Sequence, residues 1–286
     1  MFNNKFDNKT ELLNQVSNIL QKELIDDPVS ESQIIIAYSA QKNTFHEVDL
    51  RDISLQIIKN IILQRIKGKP LSKIINQKGF WKDIFYTNEN TLDPRADSEV
   101  IVENVLYDYD EKKSSKLKFL DLCSGTGCIG ISLLNEFPNA SCDFIDVSKD
   151  AIEVCEKNID KFQLNLRAKC YQSDLFAEYG YSKFQEIDFI VCNPPYIPID
   201  HYDKLNPETL HDPKISLVGG IRGTELYEKI INHLVHLRFK GSIYFEIDPI
   251  ISEKLIQFLL EKELKIVYKK EDYLKLDRLL KITLSS

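Results

Sequence analysis

Hydrophobic residues change their spacing along the chain, and the first spacing is helical. From residue 10 to residue 66, apolar side chains recur every three or four positions, as they do in amphipathic helices. The pattern predicts three short helices, with Thr10 and Ser30 as caps of the first two and residues 48–66 as the third. Because no strand pattern separates them, residues 1–75 are predicted to form a small helical bundle.

Residues 76–90 alternate instead of following a helical period. The stretch 79–86 carries aromatic side chains on both sides of a Lys-Asp pair, which predicts a β-hairpin that links two domains. The predicted organisation is therefore a helical domain over 1–75, a hairpin linker over 76–90 and a second domain over 91–286.

Beyond residue 116, short apolar runs alternate with helical patterns, which is typical of a mostly parallel sheet covered by helices on both faces. The predicted strands are 117–122, 141–146, 167–171, 187–192, 242–247, 264–269 and 278–284. The predicted helices are 128–136, 149–161, 222–239 and 250–262, and a turn over 92–99 leads into a further helix. The expected fold class is α/β, with a Rossmann-like sheet of seven strands.

A long segment, 197–220, has neither pattern and contains three prolines and a Gly-Gly pair. A loop of this length in a compact domain usually has a function. We therefore expect it to act as a lid or as a wall of a substrate site.

Charge and cysteine content exclude several classes of protein. The net charge of -7 and the pI of about 5.4 disfavour a broad nucleic-acid-binding face, because such faces are basic. The six cysteines form no C-x-x-C pair, and their apolar surroundings indicate buried thiols in a reducing cytosol. His233 and His236 have no third ligand in sight, so no metal site is expected.

The N-terminus and the apolar runs bear on localisation. The first residues are polar and lack the apolar core of a signal peptide. No apolar run is long enough to span a bilayer. We therefore expect a cytoplasmic monomer that binds neither membranes nor, stably, nucleic acid.

The most informative stretch is an apolar strand that ends in Asn193, Pro194, Pro195 and Tyr196. Prolines cannot donate to a sheet ladder, so the strand must stop there. Asn193 then lies at the carboxyl end of a strand, where open α/β sheets bind ligands. The Asn193 side-chain oxygen and the Pro194 carbonyl can each accept one N–H of a planar NH₂ group, and Tyr196 can stack on it. This arrangement suits methylation of an amide or exocyclic amino nitrogen, whose lone pair is otherwise delocalised. As an alternative, Asn-Pro is also a common way to start a turn.

A second candidate site is the glycine turn that follows the strand at 119–122. Gly125, Gly127 and Gly130 match the dinucleotide pattern G-x-G-x-x-G. Asp121 argues against a dinucleotide, because a carboxylate at the strand end would repel a pyrophosphate. It would instead attract the ammonium and sulfonium groups of S-adenosylmethionine, by about 1 to 4 kcal/mol for each close pair.

Two further carboxylates follow the next strands. Asp146 ends the second strand and is placed to accept hydrogen bonds from ribose hydroxyls. Asp174 follows the third strand and could accept one from the adenine amino group. The alternative for these acids is a helix N-cap, although Ser148 is a better cap than Asp146.

Together these motifs resemble the bacterial and organellar release-factor glutamine methyltransferases, and the likeness covers nearly the whole chain. Its most specific parts are 94–99 (Pro-Arg-Ala-Asp-Ser-Glu), 121–127, 193–196, the stretch from Asp212-Pro213 to Gly223, 245–247 and Asp277-Arg278. Relative to the usual family pattern, the chain departs at Ala96, Cys123, Leu175 and Asp212.

The resemblance implies a class I methyltransferase domain with an N-terminal helical domain that recognises the substrate. It implies methylation of the glutamine in the Gly-Gly-Gln loop of peptide chain release factors. The cofactor residues it implies are Cys123, Ser124, Gly125, Thr126, Gly127, Asp146, Asp174 and Leu175, and Asn193, Pro194, Pro195 and Tyr196 would hold the acceptor glutamine.

Three other functions are compatible with parts of the pattern. A nucleic-acid N6-adenine or N2-guanine methyltransferase presents an equally planar NH₂ acceptor, but the acidic balance of the chain disfavours it. A non-catalytic adenosylmethionine-binding scaffold would need no acceptor residues. An NAD-dependent dehydrogenase would carry neither the acid at position 121 nor the Asn-Pro-Pro-Tyr loop.

Overall fold

The N-terminal part of the chain is helical in the computed structural model, which describes residues 6–272 and 274–284. The described residues group into two compact units, within Met1–Asn76 and within Gln77–Ser286. The helices of the first unit are α1 (Lys9–Lys22), α2 (Pro28–Ser39), α3 (Leu55–Arg65) and α4 (Leu71–Ile75). Their apolar faces form a shared core that includes Leu12, Val16, Leu20, Ile36, Ile58 and Ile62. Arg65 is only 2% exposed and pairs with Glu31 at 2.8 Å, which joins α3 to α2.

The helix starts differ from the sequence-based prediction, for local reasons. Asn8 caps α1 in place of Thr10, because its side chain accepts the Glu11 N–H at 2.9 Å. Asp27 caps α2 in place of Ser30. The proline that follows Asp27 has no N–H to satisfy, and its fixed φ suits the first helical turn.

The predicted helix over 48–66 is wrong in its first seven residues. Two short 3₁₀ turns occupy 45–47 and 50–52, and α3 begins only after Ser54, whose hydroxyl accepts the Ile57 N–H. The Asp49 carboxylate accepts the Arg51 N–H at 2.9 Å, and this local bond competes with a continuous helix.

The predicted hairpin is present as β1 (Gln77–Phe80) and β2 (Asp83–Tyr86), and it belongs to the second compact unit. Glu99 holds its turn, because the Glu99 carboxylate accepts the Trp81 N–H at 2.7 Å. The buried Phe85 ring packs against Phe162, 5.1 Å away between ring centroids.

Asn158 is the central anchor of the hairpin. It is fully buried and lies on the helix formed by Lys149–Lys161. Its Oδ1 accepts the Tyr86 N–H at 2.7 Å. Its Nδ2 donates to the Tyr86 carbonyl at 3.0 Å and to the Thr126 carbonyl at 2.9 Å. One side chain therefore ties the hairpin to the glycine turn.

All seven predicted strands of the large sheet are confirmed among the described residues. They are β3 (Lys118–Leu122), β4 (Ser141–Asp146), β5 (Ala168–Gln172), β6 (Phe189–Cys192), β9 (Gly241–Glu246), β10 (Lys265–Glu271) and β11 (Asp277–Leu284), with the short β7 (Ile197–Pro198) and β8 (Val218–Gly220) paired separately. The spatial order is β10-β11-β9-β6-β3-β4-β5. All neighbouring pairs from β9 to β5 are parallel, and β11 pairs antiparallel with both β9 and β10.

Helices cover this sheet as expected for a Rossmann-like fold. They are α5 (Glu99–Asp108), α6 (Cys128–Glu136), α7 (Lys149–Lys161), α8 (Tyr181–Phe184), α9 (Glu225–His236) and α10 (Pro249–Glu261). Strand order reverses around β3, which has β4 on one side and β6 on the other. Ligands of such sheets bind in the crevice outside the strand ends at this point. Over the described ranges, no helix is both long and apolar enough to cross a bilayer.

Replacing Asn158 by alanine removes the partners of three backbone groups at once. We expect Asn158→Ala to lower the free energy of unfolding by about 3 kcal/mol, because buried unpaired polar groups are costly. Chemical denaturation of both proteins measures this. The matched control is Asn135→Ala, since Asn135 is exposed and also bonds the hairpin, through Asp83 at 3.0 Å. Equal destabilisation by the two variants would contradict the anchoring role of Asn158.

Candidate active site

A cavity of about 430 Å³ opens at the carboxyl ends of β3, β4 and β6. This volume is typical of small-molecule sites. Its lining includes the predicted residues Cys123, Gly125, Asp146, Asp174, Leu175, Asn193 and Pro195. Apolar side chains from Ile145, Val147 and Leu226 complete a wall suited to a flat aromatic group. Three residues of the glycine turn do not line this cavity, namely Ser124, Thr126 and Gly127.

The glycine turn adopts a left-handed backbone that favours glycine. Gly127 has φ +75°, and an added Cβ would lie 2.6 Å from the Cys155 sulfur. At Gly130 an added Cβ would lie 2.8 Å from the Asp121 carboxylate. Cys123 also has a positive φ of 60°, which gives a physical reason for the glycine that the resembled family often has there.

Asp121 lies beneath the turn and not in the cavity. Its side chain is 1% exposed, and Oδ2 accepts the Gly130 N–H at 2.9 Å. Burial raises the pKa of Asp121 to about 8, so the carboxyl carries less than a full charge near neutral pH. The geometry therefore gives no support to the expected direct attraction of an ammonium or sulfonium group. Asp121 instead fastens the start of α6 to the end of β3.

Asp146 is placed at the cavity as predicted. Its Oδ2 accepts the Gly125 N–H at 2.9 Å, and its Oδ1 accepts the Ser148 N–H at 2.9 Å. Each carboxylate oxygen can accept a second bond, so the group remains able to receive ribose hydroxyls. Burial raises the pKa of Asp146. Ser148, not Asp146, caps α7, because its hydroxyl accepts the Ala151 N–H.

Asp174 and Leu175 follow β5 and line the larger cavity. The exposed Asp174 carboxylate binds Lys229 through both oxygens, at 2.9 and 3.0 Å, a partner that the sequence did not reveal. Leu175 is buried and has a left-handed φ of 54°. Their assignment to the adenine remains a prediction.

A second, smaller cavity of about 240 Å³ adjoins the first, with which it shares lining residues. Asn193 lines both cavities. The second cavity also receives Tyr196, Arg95, Asp97, Glu246 and Asp248. Pro194 is buried and lines neither cavity. Asn193 therefore stands where a molecule in one cavity would meet a molecule in the other.

The two ends of the Asn193 carboxamide have different surroundings. Nδ2 donates to the Ser98 hydroxyl at 3.1 Å. Oδ1 is buried and has no hydrogen-bond partner among the residues that the structure describes. The Ser124 hydroxyl in the glycine turn is likewise buried and has no hydrogen-bond partner among the described residues. Buried polar atoms without partners are uncommon and call for an explanation, and for Asn193 Oδ1 a ligand that binds in the two cavities would supply one.

The segment 197–220 holds the Asn-Pro-Pro-Tyr loop from outside. Its strand β7 pairs in parallel with β8. A Cβ added at Gly219 would lie 2.3 Å from the Pro195 carbonyl oxygen, and one added at Gly223 would lie 2.3 Å from that of Tyr196. The segment also contributes Ser216 to both cavities, as expected of a substrate wall.

Sequence reasoning did not assign several residues that the fold brings to this site. The Ser98 hydroxyl donates to the Glu246 carboxylate. Arg95 binds the buried Asp212 carboxylate, which also accepts the Asp93 N–H at 3.2 Å. The motifs at 94–99, 212–213 and 245–247 were visible in the sequence. Their meeting at one place depends on β9 lying next to β6.

Comparison with known proteins agrees with this geometry. Residues 92–206 match the family described as MTS, methyltransferase small domain. A release factor glutamine methyltransferase of Caulobacter vibrioides is 32% identical over 226 residues, which cover 77% of this chain and 76% of that protein. One of Leptospira interrogans is 32% identical over 252 residues, which cover 86% of this chain and 87% of that protein.

A solved structure supports the fold alone. The hMettl16 catalytic domain in complex with the MAT2A 3′UTR hairpin 6 superposes with a TM-score of 0.57 at 13% identity, and covers 71% of this chain and 76% of that one. With the two-cavity site, the methyltransferase fold and the near full-length relatives taken together, the chain belongs to the release factor glutamine methyltransferase family.

Proposed function

We propose that this protein transfers a methyl group from S-adenosylmethionine to the side-chain amide nitrogen (N5) of the glutamine in the Gly-Gly-Gln loop of peptide chain release factors. Family membership supports the reaction, and the single structural observation that carries it is the buried, unpartnered Asn193 Oδ1 between two cavities. A buried oxygen in this position can accept an N–H from a planar amide. Because release factors act in translation, we place the reaction in the cytoplasm.

The larger cavity fits the proposed cofactor. Asp146 would receive the ribose hydroxyls, and the apolar wall with Leu175 would hold the adenine ring. The residues proposed to hold the cofactor are Cys123, Ser124, Gly125, Thr126, Gly127, Asp146, Asp174, Leu175 and Asn193, with Asp121 in a supporting position. When bound, the cofactor supplies an electrophilic methyl group whose carbon–sulfur bond breaks as the amide nitrogen forms the new carbon–nitrogen bond.

The smaller cavity would receive the glutamine side chain. Asn193 Oδ1 would accept one N–H of the amide, which fixes the nitrogen and opposes its conjugation with the carbonyl group. The Pro194 carbonyl is the second acceptor that the sequence predicts, although Pro194 lines neither cavity. Tyr196, which lines the smaller cavity, would stack on the amide plane, and Pro195 would contribute from the larger cavity, which it lines. Most of the rate would then come from orientation in a near-attack geometry. No general base is needed before the attack, because the excess proton leaves afterwards.

We propose the helical unit within residues 1–75 as the domain that recognises the release factor away from its glutamine. The lining residues of both cavities lie between Asn90 and Asp248. The helical unit has a hydrophobic core of its own. It could therefore add affinity for a protein substrate without taking part in the chemistry.

Methyl transfer from labelled cofactor tests the function directly. The acceptors are a purified release factor, the same factor with its loop glutamine replaced by alanine, and total tRNA, rRNA and DNA. We expect label only on the unaltered factor. Label on nucleic acid would contradict the proposal and favour a nucleic-acid methyltransferase, and cofactor binding without any transfer would favour a scaffold.

A KM for the intact factor no lower than that for a Gly-Gly-Gln peptide would contradict the role of the helical unit.

Asn193→Ala removes the proposed acceptor of the amide N–H. We expect methyl transfer to fall by about 100-fold or more, since loss of one oriented hydrogen-bond partner of the reacting group has this size of effect. Because Asn193 also lines the proposed cofactor cavity, the cofactor Kd, measured by calorimetry, should rise by no more than a few-fold, far less than the rate falls. Asn139→Ala, at an exposed asparagine that bonds only the Ser114 carbonyl in the described contacts, is the control. A cofactor affinity that collapses as far as the rate would rule out this role of Asn193.

Asp146→Ala should have the reverse effect. It removes the bonds to the Gly125 and Ser148 N–H groups and the proposed ribose contact, so we expect the cofactor Kd to rise by about 10- to 100-fold. At saturating cofactor, the rate should recover most of its native value. The control is Asp150→Ala, an exposed aspartate at the start of α7. An unchanged Kd would show that Asp146 serves only the turn.

A further inference from the structure

We propose that Glu246, acting through the Ser98 hydroxyl, sets which end of the Asn193 carboxamide faces the acceptor, so that Ser98 and Glu246 are positioning residues for methyl transfer. The inference rests on the proposed role of Asn193. It assigns a role to two residues that come from distant parts of the chain, the turn before α5 and the end of β9.

The contacts join three side chains, and the Asn193 amide also hydrogen-bonds Glu246 directly, which helps to lower the pKa of that carboxyl. Asn193 Nδ2 lies 3.1 Å from the Ser98 Oγ, and Ser98 Oγ in turn bonds Glu246 Oε2. Ser98 and Glu246 are each 2% exposed, so water cannot easily replace either partner. The other end of the carboxamide, Oδ1, is the atom without a described partner.

Proton counting decides the orientation. A serine hydroxyl has one proton, and an ionised carboxylate can only accept. When Glu246 is ionised, Ser98 must donate to it and can only accept from Asn193. The Asn193 NH₂ group then has to face Ser98, which leaves Oδ1 for the acceptor.

A protonated Glu246 would remove this constraint. Its own O–H could donate to Ser98, and the Ser98 proton could then turn to Asn193 Oδ1. Because Nδ2 faces Ser98, the carboxamide would have to rotate for Oδ1 to accept this proton, and its NH₂ group would then face an acceptor that is itself an N–H donor. This arrangement opposes binding of the glutamine amide in the reactive geometry.

The surroundings of Glu246 place this protonation close to neutral pH. Burial and the charge of Asp97 raise its pKa, while Ser98, Arg278 and Asn193 lower it, and the result is a pKa of about 7. The other titratable groups that face it remain neutral, because burial raises the pKa of Tyr196, Tyr227, Cys128 and Cys192. Of the charged groups that share its cavity, Arg95 is paired with Asp212 and Asp248 with Arg278, and Asp97 and Arg278 are the charges that shift the pKa of Glu246. Since the ionised form of Glu246 is the productive one, activity should rise as the pH increases through about 7.

Steady-state kinetics of the full chain tests the inference first. Ser98→Ala and Glu246→Gln should each lower kcat by at least about tenfold, a size typical of a misplaced reacting geometry, while the cofactor Kd is unchanged. Ser98→Thr keeps the hydroxyl and should retain most of the activity.

Wild-type kcat should fall below pH 7, and Glu246→Gln should lack this fall. Ser115→Ala and Glu153→Gln, at exposed positions, are the controls. Native kcat in Glu246→Gln, or an unchanged low-pH fall, would overturn the proposal.

A readout that needs no acceptor separates this inference from the proposed function. In ¹⁵N NMR spectra, the side-chain amide pair of Asn193, identified by its loss in Asn193→Ala, should shift with pH around a midpoint near 7. The shift should be absent in Glu246→Gln. If the pair does not respond to pH in the wild-type protein, the positioning role is wrong even where methyl transfer is observed. If it responds but no release factor is methylated, the proposed function fails and the coupling stands.

Discussion

The Asn193 carboxamide is the constraint on which the rest of the site depends. Its nitrogen is bound to Ser98, and its buried oxygen has no partner in the described part of the chain. A buried acceptor without a partner costs about 1 to 3 kcal/mol. A fold keeps such a group only when surrounding elements hold it in place. The prolines that end β6, the glycines of the 197–223 segment and the Ser98–Glu246 pair are those elements.

The two cavities follow from the same constraint. A methyl donor and its acceptor must meet without water between them, and Asn193 stands where the larger and the smaller cavity adjoin. The parallel sheet supplies this geometry, because β3 and β6 are neighbours and their carboxyl ends carry the glycine turn and the Asn-Pro-Pro-Tyr loop. The two loops are some 70 residues apart in the sequence. The fold brings them together because β3 and β6 pair, with Phe119 opposite Phe189.

Much of the fold could be predicted from the sequence, because periodicity reports burial. The central strand β6 is a fully buried apolar run, whereas β5 and β10 carry lysines and are partly exposed, yet each strand of the large sheet was predicted to within a few residues. Helix starts were less predictable, since Asn8 accepts the Glu11 N–H and Asp27 accepts the Ser30 N–H, so that each helix begins ahead of Thr10 and Ser30. Asp121 was predicted at the correct strand end. The direction of its side chain, however, depends on its hydrogen bond to the Gly130 N–H, nine residues later. Ser98 and Glu246 lie 148 residues apart, and no local pattern connects them.

The most direct measurement is a crystal structure of this protein with S-adenosylhomocysteine and a release-factor peptide that contains the Gly-Gly-Gln loop. The account predicts that the glutamine amide nitrogen lies about 3 Å from Asn193 Oδ1, in the smaller cavity, and faces the sulfur of the cofactor product in the larger one. A glutamine bound elsewhere, or an Asn193 carboxamide whose NH₂ group faces the peptide amide, would contradict it.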